Sequence, residues 1–142
     1  MFKISRLADY GLLVLNYLGE SSEEFCSSAA IAKQIHLNLP TVSKVLKLLN
    51  EAQLVVSIRG VKGGYRLAKD LQQIRLAEVI AAIDGAPALT ECCQIKNSCV
   101  HDEHCRLRDN WKFINRLILQ LLNQYTLADM KEPLALRKVH VG

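Results

Sequence analysis

Residues 54–69 constrain the fold more than any other stretch of this chain. Two short β-type runs, LVVSI (54–58) and YRLAK (65–69), are joined by Arg59-Gly60-Val61-Lys62-Gly63-Gly64. Glycines supply the positive φ angles that such a hairpin requires. The periodic segments around it are helical. Over about residues 4–19, Leu7, Gly11, Val14, Leu15 and Leu18 recur at helical spacing, with Asp9 off that stripe. Ser27 or Ser28 caps a short helix, SAAIAKQI, that turns Ile31 and Ile35 inward. After the turn HLNL, Pro40 stands near the first position of a helix over about 39–52, where its missing N–H costs nothing. That helix buries Val42, Val45, Leu46 and Leu49 and leaves Thr41, Ser43, Lys44 and Lys47 for its outer face. A further helix over about 75–84 carries Leu76, Val79, Ile80 and Ile83, and Gly85 stops it.

Helix, helix, turn, helix, β-hairpin is the order of a winged helix-turn-helix. The predicted fold class is therefore mainly α with a small β-hairpin wing, extended by a long C-terminal helix. A helix fits the major groove of DNA, with side chains near its N-terminus reaching base edges. A hairpin tip carrying Arg reaches the adjacent minor groove, where the potential is most negative when the groove is narrow. The charge agrees with this assignment. The net charge of +4 is mild, but between Lys33 and Lys69 the chain has Lys33, Lys44, Lys47, Arg59, Lys62, Arg66 and Lys69 against Glu51 alone. Double-stranded DNA is the partner this predicts.

At 142 residues the chain suits one domain, or a small domain with an appended dimerisation element. The opening MFKISRLADYGLLVLNYL lacks the order of a signal peptide, and its apolar run is broken by Asn16 and Gly19. No stretch reaches the roughly 18 apolar residues of a membrane span. A cytoplasmic location is predicted, with no membrane partner. In that reducing compartment five cysteines point to metal binding or reactivity rather than to disulfides.

Four of those cysteines lie in residues 86–106, APALTECCQIKNSCVHDEHCR, which show neither helical nor strand periodicity. Cys93, Cys99 and Cys105 are spaced C-x5-C-x5-C, with His101, Asp102, Glu103 and His104 among them. Iron–sulfur clusters are held chiefly by thiolates, and five-residue spacers let a loop wrap a cluster where the shorter C-x2-C pairs form a tight turn around one ion. Spacing alone leaves open an iron–sulfur cluster, zinc with Cys and His ligands in a zinc-stabilised interaction module, and a metal-free thiol switch. Cys26 reads as a small buried side chain. An enzyme is not indicated: the thiols share one loop, no Gly-rich phosphate cradle is present, and no histidine is paired as a base.

From Leu107 the chain becomes helical again. Leu107, Trp111, Ile114, Ile118, Leu121 and Tyr125 alternate steps of four and three, and Leu117 and Leu122 widen the stripe. The first 85 residues supply enough apolar faces to close a small core, so this heptad-like seam predicts a partner helix and a homodimer. Two recognition helices related by a two-fold axis would read a palindromic operator. The organisation that follows is a DNA-binding domain over 1–85, a cysteine-rich loop over 86–106, a dimerisation helix region over 107–130 and a polar tail over 131–142.

These features together resemble the bacterial Rrf2 family, which contains the IscR and NsrR regulators and the regulators of SUF cluster assembly. The resemblance rests on KISRLADYGLLVL, LPTVSKVLKLLNEAQLV, SIRGVKGGYRLAKD, IRLAEVIAAIDG and the C-x5-C-x5-C loop, and so runs over nearly the whole chain. It implies an iron–sulfur sensor that controls transcription, with a 2Fe–2S or 4Fe–4S cluster. By position, the cluster thiolates fall on Cys93, Cys99 and Cys105, and the minor-groove arginine on Arg59. DNA contacts fall on Pro40, Thr41, Ser43 and Lys44, with Lys47 beside them, while Gly60, Gly64 and Tyr65 belong to the wing. For the fourth ligand, the histidine of IscR-like members is replaced by Arg108. The aspartate that NsrR-like members donate from the other subunit corresponds to Asp9, with Cys92, His101 and His104 as local competitors. The overall pattern looks closest to the SUF-type regulators, with nitric oxide and oxidants as alternative signals for a repressor of the same fold.

Overall fold

The computed structural model describes residues 3–94 and 99–135. Helix α1 (Arg6–Glu20) begins where the Ser5 side chain accepts the Ala8 N–H. Ser5 is itself held from across the fold, because its backbone N–H donates to Asp84 Oδ2 at 3.0 Å. Helix α2 (Ser28–Gln34) is capped by Ser27 and helix α3 (Leu39–Glu51) by Asn38, whose Oδ1 accepts the Thr41 N–H at 2.9 Å. Each cap satisfies a donor that the first helical turn leaves open. Strands β1 (Val55–Ile58) and β2 (Gly64–Leu67) pair antiparallel, Val55 opposite Leu67 and Ile58 opposite Gly64. Helix α4 (Leu76–Asp84) ends at Gly85, whose φ of 81° explains the glycine. Helix α5 spans Arg108–Gln124. This is the winged helix-turn-helix expected from the sequence.

The core forms where the apolar stripes of α1, α3 and α4 meet. Val42, Val45, Leu46 and Leu49 of α3 are completely buried, as are Val14 and Leu15 of α1 and Val79 of α4. At roughly 1.5–3 kcal/mol per buried aliphatic side chain, this one face of α3 fixes which face is left outside. Cys26 is buried as expected.

The first 85 residues do not close this core alone. Tyr125 and Leu127 belong to it, with Leu122 and Ala128 packed against it. After α5 the chain returns along the segment before α4, where Leu76 N–H donates to Tyr125 O and Leu127 N–H donates to Ile74 O, both at 3.0 Å. Ala128 N–H donates to Leu71 O at 3.3 Å. This return pairs the Ile74 carbonyl and the Leu76 N–H at the start of α4, and gives a second donor to the Leu71 carbonyl, which already accepts the Ile74 N–H within the preceding 3-10 turn (Leu71–Gln73). Residues 131–135 continue in contact with the body: Lys131 pairs with Glu20 at 3.2 Å, and the Tyr125 hydroxyl donates to Ala135 O at 2.6 Å. The rest of the predicted polar tail lies outside the described residues.

The wing is fastened at its base. Cys26 N–H donates to Tyr65 O at 2.9 Å and Tyr65 N–H donates to Cys26 O at 2.8 Å, so Cys26 adds a one-residue third strand beside β2. Gly64, at φ 147°, makes that approach feasible, since a Cβ there would stand 2.4 Å from Cys26 O. Gly64→Ala is therefore expected to destabilise the protein by about 1–3 kcal/mol through the conformation and the backbone clash together. Urea unfolding of both proteins measures this, and an unchanged midpoint would show that the wing base is not locked by this contact.

Candidate functional site

Helix α3 presents one polar face because the opposite one is committed to the core. Pro40, Ser43, Lys44 and Lys47 follow one another at helical spacing, and all are exposed, while Thr41 is half-buried. The wing carries Arg59, Gly60, Val61 and Lys62 at its tip, all exposed, with Gly60 at φ 118° and Gly63 N–H donating to Gly60 O at 3.0 Å. Gly64 and Tyr65 stand at the base rather than at the tip, and their described contacts shape the wing.

Two of the seven cations are engaged locally. Lys69 Nζ binds Glu78 Oε2 at 2.7 Å, and the Arg66 guanidinium lies 5.2 Å from the centre of the Phe25 ring. Lys33, Lys44, Lys47, Arg59 and Lys62 remain exposed and form no ion pair among the described residues. A surface of this kind, on the helix and hairpin that project from the core, suits the phosphate backbone. A search for charge overlooks two apolar neighbours of this face. Leu39 is 45% exposed at the start of α3, and Val61 is fully exposed at the wing tip.

The cysteine loop leaves α4 at Gly85 and is fastened to α5, where Leu89 N–H donates to Oδ1 of the buried Asn115 at 2.9 Å. Short 3-10 turns at Glu91–Cys93 and Asp102–His104 break up what the sequence reads as irregular. Cys92 is buried, Cys93, Cys99 and Cys105 are half-buried, and all five cysteines are thiols. His101 and His104 are exposed. The loop thus brings the three predicted ligands into one segment but not to one point: among the described residues no three His, Cys, Asp or Glu side chains are gathered as a metal site. The donor set still fits an iron–sulfur cluster in its chemistry, being three soft, partly accessible thiols on a segment held to the body at its helix side. Asp9 lies elsewhere on this chain. It is exposed on α1 and borders a groove with Leu12, Leu13, Leu127 and Met130.

Leu107, just before α5, and Trp111, Ile114 and Leu121 along it are exposed, and Ile118 is half-buried. Phe113, outside the heptad pattern, is 43% exposed as well. Tyr125 departs from the predicted seam. It lies just beyond the helix and is only 8% exposed, because the returning chain carries it into the hydrophobic core. Among the described residues no helix is long and apolar enough to cross a membrane.

Comparison with known proteins places this architecture. The family model Rrf2, described as an iron-dependent transcriptional regulator, matches residues 4–133. The chain is 29% identical over 130 residues to the HTH-type transcriptional regulator NsrR of Shouchella clausii, covering 90% of this chain and 87% of that protein. It is 33% identical over 102 residues to the regulator IscR of Vibrio campbellii, covering 72% and 60%. Among solved structures it resembles CymR, the global cysteine regulator of B. subtilis, with a TM-score of 0.69 and 27% identity over 92% of this chain and 96% of that one. These relatives are transcription regulators rather than enzymes. With a family match over nearly its whole length and a winged helix built as the sequence requires, the chain belongs to the Rrf2 family of DNA-binding transcriptional regulators.

Proposed function

We propose that this protein is an iron–sulfur-sensing regulator whose cluster is held by Cys93, Cys99 and Cys105 and whose state sets its affinity for a palindromic operator. The observation that carries this reading is the placement of three half-buried thiols on the one segment that joins the end of α4 to the start of α5. A ligand bound there acts between the DNA-binding body and the proposed dimerisation helix. The exposed Leu107, Trp111, Ile114 and Leu121 support pairing of α5 with a second copy. The groove beside Asp9 supports a second copy on that side too, and Asp9 of the partner subunit is the fourth ligand we assign. An oxygen ligand is held less tightly than thiolate by a thiophilic metal, which suits a sensor. When bound, the cluster supplies a redox- and supply-sensitive group. The chain's own residues supply its thiolates, partial shielding from water and a mechanical link to α5. Control of SUF-type cluster-assembly genes is the output we assign, with nitric oxide or oxidants as alternative inputs to the same site.

A metal-free thiol switch is the second reading. It is favoured by the partial exposure of Cys93, Cys99 and Cys105, all thiols on one loop.

Anaerobic purification followed by visible spectroscopy and iron, sulfide and zinc analysis separates these readings. The expected protein is brown and contains iron and sulfide, and Cys93→Ala, Cys99→Ala or Cys105→Ala each bleach it. The Asp9→Ala variant retains colour but loses cluster faster under oxidant. Colourless protein without metal overturns the sensor in favour of the thiol switch, and colourless protein containing zinc favours a zinc-stabilised module.

The DNA reading is tested at the wing and on α3. Arg59→Ala is expected to weaken binding to an operator selected from random duplexes by roughly 1–3 kcal/mol if it reads the minor groove. Lys47→Ala, as a phosphate contact, lowers the steepness of log affinity against log salt by about one. Fluorescence anisotropy across a salt series measures both. Unchanged affinity in the Arg59 variant would remove that residue from recognition.

A further inference from the structure

The loop contains a hydrogen-bonded group that cluster ligation does not use. Thr90 occupies the N-cap position of the 3-10 turn Glu91–Cys93, with extended backbone angles of φ −137° and ψ 164°. A threonine at such a position ordinarily turns its hydroxyl to a free backbone N–H of the turn. Here no such bond forms. The N–H of Cys93 is satisfied instead by the Thr90 carbonyl at 3.0 Å. The hydroxyl goes to sulfur: Thr90 Oγ1 lies 3.0 Å from Cys92 Sγ and donates to Cys93 Sγ at 3.3 Å.

The proton inventory fixes the direction of this chain. A hydroxyl has one hydrogen to donate and two lone pairs that accept. A Cys93 sulfur bound to iron as thiolate has no hydrogen, so it can only accept, and the Thr90 O–H must point at it. The remaining contact then runs the other way, from the Cys92 S–H to Thr90 Oγ1. Cys92 is suited to this task. It is 9% exposed, so its sulfur is shielded from water, whereas Cys93 beside it is half-buried and accessible to a ligand. Of the two adjacent cysteines, one faces outward as a ligand and the other supports it from within.

Resting on the iron–sulfur reading above, we infer that Thr90 is a positioning residue for the cluster: its hydroxyl donates to the Cys93 thiolate, and Cys92 is the buried donor that orients that hydroxyl rather than a ligand. Hydrogen bonds to ligand sulfur withdraw electron density, so they favour the reduced cluster and raise its potential.

The test uses the full-length protein, reconstituted without oxygen from ferrous iron and sulfide. Thr90→Val removes the hydroxyl while keeping the shape, and Thr90→Ser restores it. The midpoint potential of the valine variant is expected to move to a more negative value, and the serine variant to return toward that of the unmodified protein. Cluster loss to a chelator is expected to be roughly fivefold faster in the valine variant, the factor that one net hydrogen bond of about 1 kcal/mol represents. Cys92→Ala keeps the cluster and moves the potential in the same direction by less. Thermal unfolding of the cluster-free proteins, expected to be unchanged, separates tuning from loss of fold. Equal potentials and loss rates in the valine variant overturn the role of Thr90, and bleaching by Cys92→Ala overturns the assignment of Cys92. If the unmodified protein stays colourless, the cluster reading fails first and the inference falls with it.

Discussion

Two backbone hydrogen bonds, Leu76 to Tyr125 and Leu127 to Ile74, decide how the rest of the molecule is arranged. They convert a chain that runs outward through a loop and a long helix into one that comes back to its own core. Tyr125 and Leu127 then bury beside residues from the first half of the sequence, so α5 is fixed at its C-terminal end. The winged helix is consequently not an independent unit with a helix appended. Its hydrophobic core is completed by residues some fifty positions further along, after the cysteine loop and α5 have been traversed.

This closure gives the cysteine loop its mechanical setting. The loop starts at Gly85, after a helix whose last turn is tied through Asp84 to Ser5 at the start of α1. It ends at the first turn of α5 and is pinned on the way by Leu89 to Asn115. Helix α5 is about 25 Å long at 1.5 Å per residue, with its far end held by the core. Its N-terminal end is therefore where a rearrangement of the loop is felt most. On the proposed reading, a small tilt there is multiplied across the pair of α5 helices into a change in the spacing of two recognition helices. Spacing is the quantity a palindromic operator tests.

Periodicity and capping chemistry make the helices legible in the amino-acid sequence. The stripe Val42, Val45, Leu46 and Leu49 is completely buried, and Ser27 forms the cap that its position suggests. Gly60, Gly64 and Gly85 are equally readable, because positive φ restricts the choice of residue. The features that periodicity misses have a common cause. The pairing of Cys26 with Tyr65 and of Arg75 with Thr126 consists of isolated bridges, and a one-residue strand has no alternation to detect. Tyr125 fits a heptad seam on paper and leaves it in space, because the helix ends at Gln124 and the backbone turns back there. In the loop, spacing brings the thiols together as a set, while their positions relative to one another depend on turns that hydrophobic periodicity does not encode. The Thr90 hydroxyl is the clearest instance, since a threonine before two cysteines has no distinctive pattern until its oxygen is placed beside their sulfurs.

The distribution of charge and apolar surface follows from the same core. Because α3 buries one face completely, Lys44 and Lys47 have nowhere to point but outward, and the wing carries Arg59 and Lys62 away from the body. Lys69 is drawn back to Glu78 at the root of the wing, so its charge supports the fold rather than the tip. Exposed apolar side chains are treated differently: Trp111, Phe113, Ile114 and Leu121 lie on α5, which contributes little aliphatic surface to the core. Had α5 served only to complete that core, these residues would be the ones buried. Instead the core is finished by Tyr125 and Leu127 beyond the helix end, which leaves most of the helix available for another surface.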